Sequence, residues 1–318
     1  MRRCRLLIRR VIARRWPSTI DGWGIAEIGK DLLGPLAKSH MSNRVTQSLL
    51  ALGAVFTALA TLAGTNLITG DGGRGSVRPD LSRLNMARAV YDSEGGMGEA
   101  YYAYDGRVWA RWETDFPEGD DNFSRRLGQI TRINVAPKAA SRLFTATDLG
   151  DFPMLYMSDP GYMVITNEER EAFGRYLANG GFVWVDDFWG DAEWQQFANV
   201  MRTVLPGREW RVLTPEHPIF HTVFDLEEMP QIPALPFASP GGSTAESPGA
   251  HKFPAGSMDT PQMRAWLDDD GRIMVLATHN TDVGDGWERE AYGDWYFETF
   301  STRSYMVGVN VVVYAMTH

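Results

Sequence analysis

The stretch TNEEREAFGRYLANGGFVWVDD, residues 166–187, decides the fold. It opens on Thr166, whose hydroxyl can cap a helix, and Glu169 three positions on completes a capping box. Phe173, Tyr176 and Leu177 recur at helical spacing, and Gly180-Gly181 stops the helix. Phe182-Val183-Trp184-Val185 then runs without a polar residue, as a strand covered on both faces does. A helix feeding a doubly buried strand is the repeating unit of a layered α/β sheet.

The same alternation extends outward. Leu84 to Tyr91 reads as a strand and Trp109 to Trp112 as another. A turn at residues 115–121 leads into an amphipathic helix marked by Phe123, Leu127 and Ile130. Met154-Leu155-Tyr156-Met157 is a short apolar strand that ends at Ser158-Asp159-Pro160-Gly161. Downstream, Phe197, Val200, Met201 and Val204 share a helical face, and Trp210 to Leu213 is the next strand. Residues 227–261 are rich in Pro, Gly and Ser and read as a long excursion. Ala265 to Leu267 and Arg272 to Ala277 flank the hairpin turn Asp268-Asp269-Asp270-Gly271. Val307, Asn310, Val311 and Tyr314 lie on one helical face, although their β-branched neighbours leave a strand open. The expected fold is α/β and three-layered, flavodoxin-like, with a mostly parallel sheet of right-handed βαβ units.

Charge and hydropathy divide the chain. Residues 1–44 carry ten Lys/Arg against three Asp/Glu, a balance of +7, while the remainder carries 21 against 37, a balance of −16. An acidic body repels phosphate backbones, so no nucleic-acid partner is expected; cationic partners or metal ions are favoured. The single cysteine, Cys4, lies in the basic prefix, so the body can form neither a disulfide nor a thiolate site. Leu49 to Gly64 is a charge-free run preceded by Met41-Ser42-Asn43-Arg44, the layout of a secretory signal peptide; an uncleaved anchor also fits. The resulting division is a prefix at 1–40 (disordered, or ahead of a true start at Met41), a signal peptide or membrane anchor at 41–68, a Gly-rich linker at 69–80, and an α/β domain at 81–318. Export would place the domain in the periplasm, in the medium, or at the outer face of the inner membrane. Its only membrane contact would be through the N-terminal segment.

Several motifs recur in a recognisable order. They are RAVYD (88–92), W-x-T-D-F-P (112–117), FPMLYMSDPG (152–161), the 166–187 stretch, PEHPIFH (215–221), D-x-G-x-G-W (282–287) and GVNVVVYAM (308–316). From Leu84 onward the chain resembles the bacterial domain-of-unknown-function family 4159. The resemblance implies a fold similar to class I glutamine amidotransferases. It also implies an exported or membrane-linked setting, with MoxR-type ATPases and von Willebrand factor A proteins as partners at the cell envelope. It implies no activity.

An amidotransferase needs a thiolate at a strand-to-helix elbow, a histidine base and an orienting carboxylate. The body has no cysteine, and the strand ending at Val185 runs into Asp186-Asp187-Phe188-Trp189-Gly190, so amidotransferase and cysteine-hydrolase chemistry are excluded. Ligands of open α/β sheets sit outside the carboxyl ends of the strands, which brings Asp159, Asp186 and Asp187 toward one crevice. They could form a hard-cation site, or one could act as a general base beside a histidine; capping and solvation are the plainer roles, and are preferred. Because adjacent side chains of an extended chain point apart, only one of Asp186 and Asp187 reaches the crevice unless the chain turns. His217 and His221 are four apart, but Pro218 makes their segment at best a helix start; a single histidine hydrogen-bonded to the sheet end is preferred over metal ligation, for which Asp187, His217 and His221 are the candidates. Asp282 lies on a Gly-rich loop with Asn280, Asp285 and Glu288, and Trp189 and Trp287 could line a ligand pocket or simply pack in the core.

Three functions follow. The first is a non-catalytic, exported binding or assembly domain with no cofactor. The second is a metal-assisted hydrolase using Asp159, Asp186 or Asp187 with His217, a divalent metal and, as a further candidate, Asp282. The third is glycan or peptidoglycan binding by exposed tryptophans.

Overall fold

The structure, a computed structural model, describes residues 79–246 and 258–318. The expectations for residues 1–40, the apolar segment 41–68 and most of the 69–80 linker fall outside these residues. Among the described residues no helix is long and apolar enough to cross a membrane.

Seven strands build the central sheet: β1 (Met86–Val90), β2 (Ala140–Leu143), β3 (Met154–Ser158), β4 (Phe182–Asp186), β5 (Trp210–Leu213), β6 (Gln262–Leu267) and β7 (Ile273–His279). Their spatial order is 2-1-3-4-7-6-5. The first five positions are parallel; β6 pairs antiparallel with β7 and with β5. The 2-1-3-4 half has the flavodoxin-like order, with its switch point between β1 and β3. The expected mostly parallel α/β sheet is therefore present.

Two sequence expectations need correction. The 210–213 strand does not continue the parallel series beside β4; the β6–β7 hairpin intervenes and β7 takes that place. All seven residues of β7 are buried, whereas Arg211 and Val212 of β5 face solvent, so burial assigns the centre to β7 and the edge to β5. The 109–112 strand is shifted: Arg107–Ala110 pairs with Tyr101–Tyr104 in a separate hairpin, and Arg111–Glu113 is a 3-10 turn. The 140–143 strand carries no sequence signal, because ASRL is short and polar and its place follows from pairing with β1.

The helices are α1 (Glu118–Ile130), α2 (Asn167–Ala178), α3 (Gly190–Val204), α4 (Val283–Glu288) and α5 (Thr302–Thr317). At the start of α2 the capping box is formed: Glu169 N donates to Thr166 Oγ1 at 3.2 Å, and Thr166 N donates to Glu169 Oε2 at 2.9 Å. The C-terminal segment that left helix and strand open is the helix α5, whose buried Val307, Val311 and Tyr314 recur at helical spacing.

Strand side chains alternate between two cores. Ala87, Ala89, Leu155, Met157, Val183, Val185, Val275 and Ala277 pack with Phe173 and Leu177 of α2 and Phe197 and Met201 of α3. On the other face Trp184 meets Phe123 of α1 (centroids 6.4 Å apart) and Trp287 of α4 (5.3 Å). The α1, α4 and α5 helices pack against one another there, completing three layers.

Candidate functional site

The site lies where the central strands end. β3, β4 and β7 are each followed by a residue in the left-handed region: Asp159 (φ 55°), Asp187 (φ 56°) and Asn280 (φ 60°). Short polar side chains tolerate that conformation best among non-glycine residues. The turn at Asp187 frees the pair Asp186-Asp187 from strict alternation, so both carboxylates serve the same region.

Asp186 closes a buried polar layer. It accepts from Tyr156 Oη (2.8 Å), Thr278 Oγ1 (2.5 Å) and Gly284 N (2.9 Å), while Trp184 Nε1 donates to Thr278 Oγ1 (3.0 Å). Burial pushes its carboxyl up to about 6, against the pull of those hydrogen bonds. Asp187 accepts from Trp189 Nε1 at 3.2 Å. Enclosure first, then the charges of Asp159, Glu246 and Asp186, hold it well above the usual carboxylate range.

Asp187, Glu246 and Asp282 offer carboxylate oxygens that all lie within 4.8 Å of one another. A second trio, Asp115, Asp285 and Glu288, meets the same condition. Asp282 is raised by burial and by Asp187, Asp115, Asp285 and Asp186, which makes the two trios electrostatic neighbours. Asp115 is raised by burial and by Glu288, Asp285 and Asp187, and Glu288 is pushed up to about 7 by burial. Asp115 Oδ2 is shut off from solvent without a hydrogen-bond partner. Crowded oxygens of this kind match the hard-cation donor set of Mg²⁺ or Ca²⁺.

Asp159, Asp186 and Asp187 therefore gather at the carboxyl edge of the sheet, as strand-end reasoning expects, and Asp282 joins them there. Asp159 is already engaged by Arg111, whose Nη1 lies 2.5 Å from Asp159 Oδ2. The histidines have contacts of their own. His217 caps a 3-10 turn by accepting from Ile219 N (3.3 Å) and packs on Tyr314, while His221 meets Pro215 O (2.6 Å) and Asp225 (3.4 Å). Trp189 and Trp287 are each 1% exposed, so neither offers a face to a glycan. Trp287 stacks on Phe123 with centroids 4.3 Å apart.

The supposed Gly-rich loop at 282–288 is the helix α4. Asp282 Oδ1 accepts from Asp285 N at 2.7 Å, and the burial of Trp287 outweighs the low helix propensity of the two glycines. Two members of the cluster were missed as candidates. Asp115 reads as part of a turn in W-x-T-D-F-P, and Glu246 sits in the Pro/Gly/Ser-rich excursion with no local signal.

Fold and site together define a three-layer α/β domain with a carboxylate cluster at the carboxyl edge of its sheet. The model of the domain-of-unknown-function family DUF4159 matches residues 100–316, and the chain belongs to that family. No curated protein matches the chain.

Proposed function

We propose that this is a binding domain whose strand-end carboxylates take up a divalent cation of the Mg²⁺/Ca²⁺ class. The carrying observation is the trio Asp187, Glu246 and Asp282, with oxygens inside 4.8 Å of one another. Like charges so close are costly without a counter-ion, and a divalent cation removes that cost. The second trio beside it and the unpartnered Asp115 Oδ2 support the same reading. Both trios consist of carboxylates alone, which favours binding over a hydrolase with a histidine base.

Calorimetry of the metal-stripped full chain with Mg²⁺, Ca²⁺ and Mn²⁺ tests this. Micromolar to millimolar binding is expected, weakened about tenfold or more in Asp187→Asn and Asp282→Asn, each of which removes a charged ligand. Failure of all three ions to bind at millimolar concentration would sink the proposal.

The likeness to class I glutamine amidotransferases is part of the same reading. The β4–α3 elbow, where that class needs its thiolate, carries Asp187 in a left-handed conformation. A carboxylate there cannot form a thioester, so the elbow serves binding instead. The 41–68 segment supports delivery outside the cytoplasm, and the family resemblance supports assembly with envelope proteins of the MoxR and von Willebrand factor A type. Affinity capture of the full chain from native membranes should recover such proteins, and their consistent absence would count against assembly.

A further inference from the structure

Three side chains that pack together behind the β4–α3 elbow, Trp194, Arg264 and His279, each bury a polar atom. Trp194 Nε1, Arg264 Nη1 and His279 Nδ1 are each sealed from solvent and lack a hydrogen-bond partner. Their residues are 2%, 8% and 1% exposed, and they come from α3, β6 and β7 respectively. The Arg264 guanidinium lies 4.0 Å from the Trp194 ring centroid, and the His279 and Trp194 rings are 5.4 Å apart. Buried polar groups in folded proteins are almost always paired, with ordered water where the protein supplies no partner.

The chemistry of the three atoms selects the partner. His279 Nε2 lies 2.9 Å from Gly190 O, and a carbonyl only accepts, so Nε2 carries the hydrogen and Nδ1 presents a bare lone pair. Trp194 Nε1 and Arg264 Nη1 can only donate. Two donors and one acceptor are the complement of a water molecule. We infer that one water is bound in this core, accepting from Trp194 Nε1 and Arg264 Nη1 and donating to His279 Nδ1. A halide would satisfy both donors but would face the histidine lone pair. Protonation of His279 would remove that conflict, but burial and the Arg264 charge push its imidazole down to about 3.

The water joins the cross-links that fix the elbow. His279 holds Gly190 O, and the neighbouring Asn280 accepts from Gly190 N at 2.8 Å, so the end of β7 fixes the turn that carries Asp187. The water extends that bracing to Trp194 and Arg264. It does so whether or not the carboxylates bind a cation.

A high-resolution crystal structure of the full chain, with a bromide-soaked crystal alongside, tests the inference. A water peak at about 2.9 Å from all three atoms and no anomalous bromide signal there is the expected result. Absent density, density that reaches fewer than all three atoms, direct pairing among the three, or a bromide peak at that position would each overturn it. Nitrogen NMR of His279 gives an independent reading in solution. The Nε2–H tautomer with a hydrogen-bonded Nδ1 should persist at neutral pH, and a protonated imidazolium there would contradict the water.

Discussion

Asp186 and Asp187 are neighbours in sequence with opposite roles. Asp186 is wholly buried and accepts from three donors, so Asp186→Ala strands Tyr156 Oη and Gly284 N in the core, while Thr278 Oγ1 keeps Val185 O as its acceptor. Each orphaned buried group costs about 1–3 kcal/mol, so urea denaturation should show a loss of about 2 kcal/mol or more. Asp187 is repelled by Asp159, Glu246 and Asp186 and has the indole of Trp189 as donor. In the metal-free protein Asp187→Asn should therefore leave stability unchanged or raise it, although it weakens cation binding. A matching loss of stability in both variants would show that the two carboxylates are not divided between structure and binding.

Elements carry their own tests. The Thr166–Glu169 box starts α2, and Thr166→Ala removes one side of it, at a cost of about 1 kcal/mol. In a domain of this size that corresponds to a fall in Tm of roughly 2–4 °C, measurable by calorimetry. The contact of α5 with α1 and α4 is closer still. A Cβ on Gly308 would lie 2.4 Å from the Phe123 ring and 3.1 Å from that of Trp287. Those rings are stacked and buried, so Gly308→Ala should cost about 1–3 kcal/mol by overpacking rather than stabilise the helix. A gain in Tm would mean that the three helices separate more easily than their packing indicates.

At the scale of the molecule the cluster links stability to pH. Glu288, with its folded value near 7, and Asp187, Asp282 and Asp115, held well above the carboxylate range, bind protons more tightly folded than unfolded. Their contribution is complete below the unfolded value near 4 and is lost as pH rises through the folded values. His279 acts oppositely, because its lowered value makes stability rise with pH from about 3 to 6.5. It is silent above that range, so Tm of the metal-free chain should fall between about pH 6.5 and 8. A saturating divalent cation should flatten that slope, and its binding should release protons, read as a dependence of calorimetric enthalpy on buffer. A metal-free Tm that rises across this interval would contradict the raised carboxyls.

The layered α/β class was legible because its signals are local. A capping box, a helical repeat and a charge-free strand each declare themselves within a few residues, as 166–187 does. The missing thiol and the acidic body are matters of composition and need no structure. Strand-end logic also placed Asp159, Asp186 and Asp187 together, since the carboxyl edge of a parallel sheet is set by topology. Tertiary structure alone decided the rest. It put β7 rather than β5 beside β4, because burial along a whole strand outweighs order in the chain. It turned the chain at Asp187 and brought Asp115 and Glu246 to the cluster from segments far apart in sequence, and it kept His217 and His221 at contacts of their own. Charge repulsion and burial depend on distance in space, and sequence spacing carries no record of distances between residues more than a hundred positions apart.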